Sequence, residues 1–174
     1  MIKQRSMTFQ VTLFTAIRLV LNTSGRMLYP FLAIFSRGLS VDLAAISLVI
    51  ATSNGTSALG PVLGPLADRR GRKFSMLLGL LLFTLGNVFV LVAPNYFSFF
   101  AAIVFANLGN VIFLPAMFAY LGDTVPYEKR GAVVAATETS WAGAFILGVP
   151  AAGLLINRFG WNSPFWALFG LGLL

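Results

Sequence analysis

The sequence contains no cysteine and no histidine, and only five of its 174 residues are acidic. Without cysteine the chain forms no disulfide, and without histidine it lacks the usual imidazole ligands of zinc sites. The same absences remove the side chains on which most hydrolytic enzymes depend. The sequence therefore predicts no metal, no cofactor and no enzymatic activity.

Charge is scarce and apolar residues are abundant. Charged residues make up 10% of the chain and hydrophobic residues 58%, whereas a typical soluble domain has about 25% charged residues. This composition predicts an all-α integral membrane protein whose surroundings are a lipid bilayer. The net charge of +7 would suggest nucleic acid in a soluble protein. Here the basic residues lie mostly in short segments between apolar runs, so no nucleic-acid partner is predicted.

Apolar runs of about 20 residues predict membrane-spanning helices. Five such runs cover residues 9–35, 42–67, 74–93, 97–122 and 132–156. A sixth run begins at Pro164 and reaches Leu174 after 11 residues, which is too short to cross a bilayer. We therefore expect residues 1–174 to be a fragment, with five complete transmembrane helices and a truncated sixth.

The basic residues between the runs predict the orientation of the chain. Eight of them fall on one side of the predicted membrane: Lys3, Arg5, Arg69, Arg70, Arg72, Lys73, Lys129 and Arg130. Two fall on the other side, Arg37 and Arg158. Because the side richer in lysine and arginine is cytoplasmic, we expect a cytoplasmic amino terminus and a location in a prokaryotic inner or plasma membrane.

A short basic turn joins the second and third runs. Gly64 is followed after three residues by Asp68 and Arg69, and Gly71 precedes Arg72 and Lys73. This run resembles the loop signature of the major facilitator superfamily, with every defining position filled. The resemblance implies a conformational switch formed by this loop and the next cytoplasmic one: Gly64, Asp68, Arg69, Gly71, Arg72, Asp123 and Arg130.

The resemblance extends along the whole chain as the amino-terminal six-helix half of such a transporter. The loop from Asp123 to Gly131 is similar to the family's loop between helices four and five, and Gly148, Pro150 and Gly153 resemble its packing element in helix five. The family implies alternating access, small-molecule efflux and a carboxyl-terminal six-helix half as partner. Phe105 stands four residues before Gly109, where many drug and proton antiporters of the family carry arginine.

Polar residues inside the runs are candidates for the path of a small-molecule substrate. Arg18, Asn22 and Arg26 are spaced by four and share one helix face, and charges within a span usually face a bundle interior or a wet cavity. The alternative for Arg18 and Arg26 is that their long side chains reach the membrane surface.

Glu138 is the one acid well inside an apolar run, about 10 Å along its helix from Gly131. This depth matches that of Arg18, which predicts an ion pair, either structural or serving as a proton carrier.

Asn107 and Asn110 share a face of the fourth helix, where they either bind substrate or form interhelical hydrogen bonds.

Two other functions remain open beside transport. One is an integral membrane enzyme, for which the chain has few suitable side chains. The other is a non-transporting half-carrier or scaffold that acts only when paired with another six-helix half.

Overall fold

The computed structural model describes residues 2–173, with side chains from Met7 onward. Leu174 and the side chains of Lys3 and Arg5 therefore lie outside the described residues. Within this part of the chain the structure is a bundle of α-helices with no strand. The predicted all-α class is confirmed.

The helices are numbered in chain order. They are α1 (Ile2–Arg26), α2 (Leu32–Leu39), α3 (Leu43–Thr56), α4 (Gly60–Leu63), α5 (Leu66–Arg70), α6 (Arg72–Val92), α7 (Tyr96–Thr124), α8 (Tyr127–Gly143), α9 (Val149–Phe159) and α10 (Ser163–Gly172). A 3₁₀ turn at Ser57–Leu59 joins α3 to α4, and a π-helical turn at Ala144–Gly148 joins α8 to α9.

Four helical segments in the described part of the chain are long and apolar enough to cross a membrane: Leu43–Leu63, Arg72–Val92, Tyr96–Thr124 and Tyr127–Phe159. The first of the five predicted spans is not among them, although α1 has 25 residues. Its polar residues, including Arg18, Asn22 and Arg26, lower its mean hydropathy.

The first predicted span is also not one helix. A turn at residues 27–31 separates α1 from α2, so the prediction of a continuous helix over 9–35 is wrong. Pro30 lies in this turn, and proline both lacks a backbone N–H and disfavours helical geometry in the preceding residue.

The second span bends where its glycines and prolines cluster. The 3₁₀ turn follows α3, and the chain turns again at Gly64 and Pro65 before α5. Asp68 therefore lies in a separate five-residue helix and not at the end of a long one. Gly71, with a φ of 94°, links α5 to α6 in a backbone conformation that residues other than glycine rarely adopt.

Helices α6 and α7 pack through paired glycines. A Cβ added to Gly79 would lie 2.6 Å from the carbonyl oxygen of Gly109, and one added to Gly86 would lie 3.0 Å from that of Ala102. Small residues at these positions let the two backbones approach closely, which is the main way in which membrane helices gain packing energy.

Aromatic side chains hold the end of the bundle where α10 packs. The ring of Phe99 lies 5.1 Å from that of Phe35 and 5.8 Å from that of Phe165 between centroids, and Trp161 contacts all three rings. All three phenylalanines are fully buried. This cluster ties α2, α7 and α10 together and fixes the position of the short last helix.

The predicted fifth span is helical from Tyr127 to Phe159 but contains the π-helical turn. Pro150, two residues beyond this turn, has no N–H to continue the helical ladder. A Cβ added to Gly148 would overlap the hydroxyl of Thr23, and one added to Gly153 would lie 2.9 Å from the ring of Phe31. The fifth span thus packs against α1 and the turn after it.

Candidate functional site

Helices α1 and α8 meet through a charged pair. The guanidinium of Arg18 donates a hydrogen bond of 2.8 Å to Oε1 of Glu138. The side chain of Arg18 is 7% exposed and that of Glu138 is 49% exposed. Arg18 also lies 5.3 Å from the ring centroid of Phe118 on α7. Arg18 is therefore buried and neutralised, not extended to the membrane surface, and the predicted ion pair is present.

The same two helices stay in contact through two further turns. The amide of Asn22 donates a hydrogen bond of 3.4 Å to the hydroxyl of Ser140. The guanidinium of Arg26 lies over the ring of Trp141, at 4.3 Å from its centroid, and 5.0 Å from the centroid of Phe145. Arg18, Asn22 and Arg26 share one helix face, as the spacing by four predicts, and their contacts along it include α8 and the π-helical turn that follows it.

Arg26 differs from Arg18 in having no counterion. Within the described residues, no carboxylate forms an ion pair with Arg26, and its contacts are with the aromatic rings of Trp141 and Phe145. Arg26 as a whole is half-buried. A charge in such a position is stabilised by the ring faces but keeps its in-plane N–H donors unused.

A cavity of about 200 Å³ opens beside Arg26, between α1, α3 and α7. We call it the α1–α3–α7 cavity. Its polar lining consists of Asn22, Ser24, Arg26, Tyr29, Ser53, Asn54, Asn107 and Asn110. No acidic residue is among the lining residues in the described chain. The cavity is therefore electropositive and rich in amides.

The two asparagines of α7 have different surroundings. Asn107 donates hydrogen bonds of 2.6 Å to the carbonyl of Ser53 and 2.7 Å to the hydroxyl of Thr56. These bonds join α7 to α3, which is the interhelical role that the sequence left open. Asn110 forms no such hydrogen bond within the described residues. Both line the α1–α3–α7 cavity.

A second charged cluster lies at the end of the bundle that is predicted to be cytoplasmic. Arg72, the first residue of α6, pairs with Asp68 four residues earlier, and its Nε lies 3.3 Å from Oδ2 of Asp123 on α7. The two carboxylates are mostly exposed, at 68% and 64%. We call these three residues the Asp68–Arg72–Asp123 cluster. It joins two of the loops in which the sequence predicts a switch.

The other predicted switch residues lie outside this cluster. Arg130 donates a hydrogen bond of 3.1 Å to the carbonyl of Val125 and lies over Tyr127. Arg69 is exposed, Gly64 packs on the backbone of its own helical turn, and Gly71 provides the positive φ of the loop.

Trp141 and Phe145 are contact residues of the site that the sequence reasoning missed. Trp141 lies three residues after Glu138, and Phe145 seven residues after it. The spacing of three places Trp141 on the helix face of Glu138 and was the signal that could have found it, whereas Phe145 lies in the π-helical turn, where regular α-helical spacing no longer holds. Ser53 and Asn54 of α3 also line the α1–α3–α7 cavity.

Comparison with known proteins identifies the family. The sequence model of the Major Facilitator Superfamily matches residues 14–174. The chain is 34% identical over 138 residues to the uncharacterized MFS-type transporter YwfA of Bacillus subtilis, covering 79% of this chain and 34% of that protein. It is 30% identical over 144 residues to the inner membrane transport protein YdhP of Escherichia coli, covering 82% and 37%. It is also 28% identical over 127 residues to Multidrug resistance protein 2 of Bacillus subtilis, covering 73% and 32%.

The matched region thus spans about a third of the length of these relatives. Its membrane-length apolar helices and its basic loop between α4 and α6 agree with the family match. The chain is an integral membrane protein that belongs to the Major Facilitator Superfamily, and the relatives that it matches are described as transporters.

Proposed function

We propose that this chain forms the amino-terminal half of a secondary transporter that exports small organic molecules by alternating access. The observation that carries the proposal is the α1–α3–α7 cavity, in which the unpaired Arg26 at the end of α1 lies beside asparagines of two membrane-length helices, Leu43–Leu63 and Tyr96–Thr124. Polar groups at such a depth are costly unless they serve a substrate or ion path. The carboxyl-terminal half would complete the site from the opposite side.

The Asp68–Arg72–Asp123 cluster is the proposed conformational switch. Its carboxylates are exposed and its members come from separate helices, so a relative movement of α6 and α7 would break it at small cost. An ion cluster that exists in only one arrangement of the helices biases the equilibrium between inward-open and outward-open states. The similarity to Multidrug resistance protein 2 supports export, and the excess of basic residues in the loops on one side supports a cytoplasmic amino terminus.

The test is transport by the purified protein, in the full length that contains this chain, reconstituted in proteoliposomes. We expect saturable, gradient-driven movement of at least one compound from a panel of organic anions, cations and neutral molecules. The 174-residue chain alone is the matched control, and we expect it to show none. Transport by neither form would favour the half-carrier or scaffold alternative, and transport by the 174-residue chain alone would show that no second half is needed.

A further inference from the structure

Arg26 carries a positive charge that no acid of the described chain neutralises. The chain has five acids, and all five are placed by the structure. Glu138 binds Arg18. The other four lie at or near helix ends: Asp42, Asp68, Asp123 and Glu128. An arginine within a membrane bundle usually pairs with an acid or with backbone carbonyls. Within the described residues Arg26 has neither kind of partner, so its donors are available to a group from outside them.

The geometry around Arg26 restricts what that partner is. Trp141 and Phe145 contact the guanidinium through their rings, which leaves its in-plane N–H donors free. Five such donors form a planar fork that matches the two oxygens of a carboxylate. The rings also fix the guanidinium in place, so less conformational entropy is lost when a ligand binds.

The neighbouring polar groups are neutral. Asn22 and Asn110 line the same cavity as Arg26, and Tyr29 adds a hydroxyl. Amides and hydroxyls donate hydrogen bonds to an anion without attracting a cation by charge. With no carboxylate in its described lining, the cavity holds one net positive charge and is unfavourable for cationic molecules.

We infer that the α1–α3–α7 cavity binds the carboxylate of a small organic anion, with Arg26 as its counterion and Asn110 as a second hydrogen-bond donor. This inference rests on the proposed transport function and names its substrate class. The cavity volume of about 200 Å³ is below the ~300–1,000 Å³ of pockets for drug-sized ligands. The anion is therefore small, or its body extends beyond this cavity.

The experiment compares three probes that share one ring and differ in charge: benzoate, benzamide and benzylammonium. Binding of each radiolabelled probe to the purified full-length protein is measured by scintillation proximity. We expect benzoate to bind more tightly than the other two. Arg26→Gln should weaken benzoate binding by at least about tenfold, as expected for the loss of one charge-assisted hydrogen bond, with little effect on benzamide.

Two further variants separate charge at the cavity from charge elsewhere. Arg26→Lys keeps the charge without the planar fork, so it should retain a weakened preference for benzoate. Arg37→Gln removes an exposed arginine outside the cavity lining, so benzoate binding should not change. Circular dichroism and thermal unfolding check that each variant is folded, and the comparison of probes on the unchanged protein does not depend on any variant.

Two results would overturn the inference. One is equal binding of the three probes by the unchanged protein, which would mean that an acid outside the described residues already neutralises Arg26. The other is benzoate binding that survives Arg26→Gln in a folded protein. Either result leaves the proposed transport function standing if another compound is moved. Conversely, Arg26-dependent benzoate binding without transport of any compound would support this site and reject the transporter proposal.

Discussion

The Arg18–Glu138 pair gives an asymmetric prediction about stability. The two partners differ in burial, with Arg18 at 7% and Glu138 at 49% side-chain exposure. Removing the acid leaves a buried charge without a counterion, whereas removing the arginine leaves a carboxylate that is half exposed. Glu138→Gln should therefore destabilise the protein more than Arg18→Gln.

The magnitudes follow from the surroundings of each group. Breaking a buried pair by removing one partner costs about 3–5 kcal/mol. We expect about 3 kcal/mol for Glu138→Gln, because the ring of Phe118 at 5.3 Å still stabilises the guanidinium. Arg18→Gln should cost about 1 kcal/mol, the upper range for pairs whose remaining charge is exposed. The double variant has no unpaired charge, and we expect it to cost about 2 kcal/mol, less than the sum of the single effects.

The assay is a double-mutant cycle, with unfolding in detergent micelles followed by far-ultraviolet circular dichroism. Additivity within about 0.5 kcal/mol would mean that the two groups do not interact. A harmless Glu138→Gln would also refute the reasoning, because it would show that Arg18 needs no counterion.

Transport by the same variants distinguishes the two roles left open for the pair. A proton carrier at Glu138 predicts that Glu138→Gln abolishes accumulation driven by a pH gradient while substrate exchange continues. A structural pair predicts that both activities fall together, in proportion to the amount of folded protein.

The remaining predictions concern orientation, packing and the switch. The chain has no cysteine, so single cysteines can be introduced at the exposed positions Lys129 and Asn157. We expect the first to be labelled from the cytoplasmic side and the second from the outer side. Labelling of both from outside would contradict the predicted orientation. Gly109→Ala should lower the free energy of unfolding by about 1–3 kcal/mol, because the added Cβ would overlap backbone atoms of α6. Its control is Gly122→Ala on the same helix, whose Cβ meets no atom within 4 Å, so that variant should be neutral or slightly stabilising. Equal unfolding free energies for the two variants would contradict the close packing of α6 and α7. Asp68→Asn should shift the conformational equilibrium toward opening of the cytoplasmic side by up to about 1 kcal/mol, or about fivefold. The measurement is the rate at which a cytoplasmic cysteine is labelled, which should rise. A reordered substrate preference without that rise would show that Asp68 recognises substrate instead.

Hydropathy predicted the regular helices well and the broken ones poorly. Helices α6 and α7 lie at 72–92 and 96–124, within two residues of the predicted bounds, because each is mostly apolar and is bounded by turn or loop residues. The break at 27–31 was not predicted, since Met27, Leu28 and Phe31 continue the apolar run across it. Pro30 was the available signal, but proline within an apolar run is also compatible with a kinked helix.

The spacing of the site and one of its contacts, the Arg18–Glu138 pair, were predictable, but its other contacts were not. A repeat of four placed Arg18, Asn22 and Arg26 on one face, and equal depth paired Arg18 with Glu138. The π-helical turn at Ala144–Gly148 has no comparable pattern in the sequence. Because it adds one residue to a turn, it changes which side chains of the fifth span face α1 beyond Gly143.

The two arginines of α1 show how one helix face acquires two different environments. They lie eight residues apart and carry the same charge, yet α8 offers a carboxylate to Arg18 and an indole ring to Arg26. The carboxylate neutralises its partner, so that position contributes little field to the cavity. The indole ring stabilises its partner without neutralising it, because the attraction is to the ring quadrupole and brings no net negative charge. The positive charge of the face is therefore concentrated at Arg26, beside the α1–α3–α7 cavity, where a substrate anion would complete the pairing that the described part of the chain leaves open.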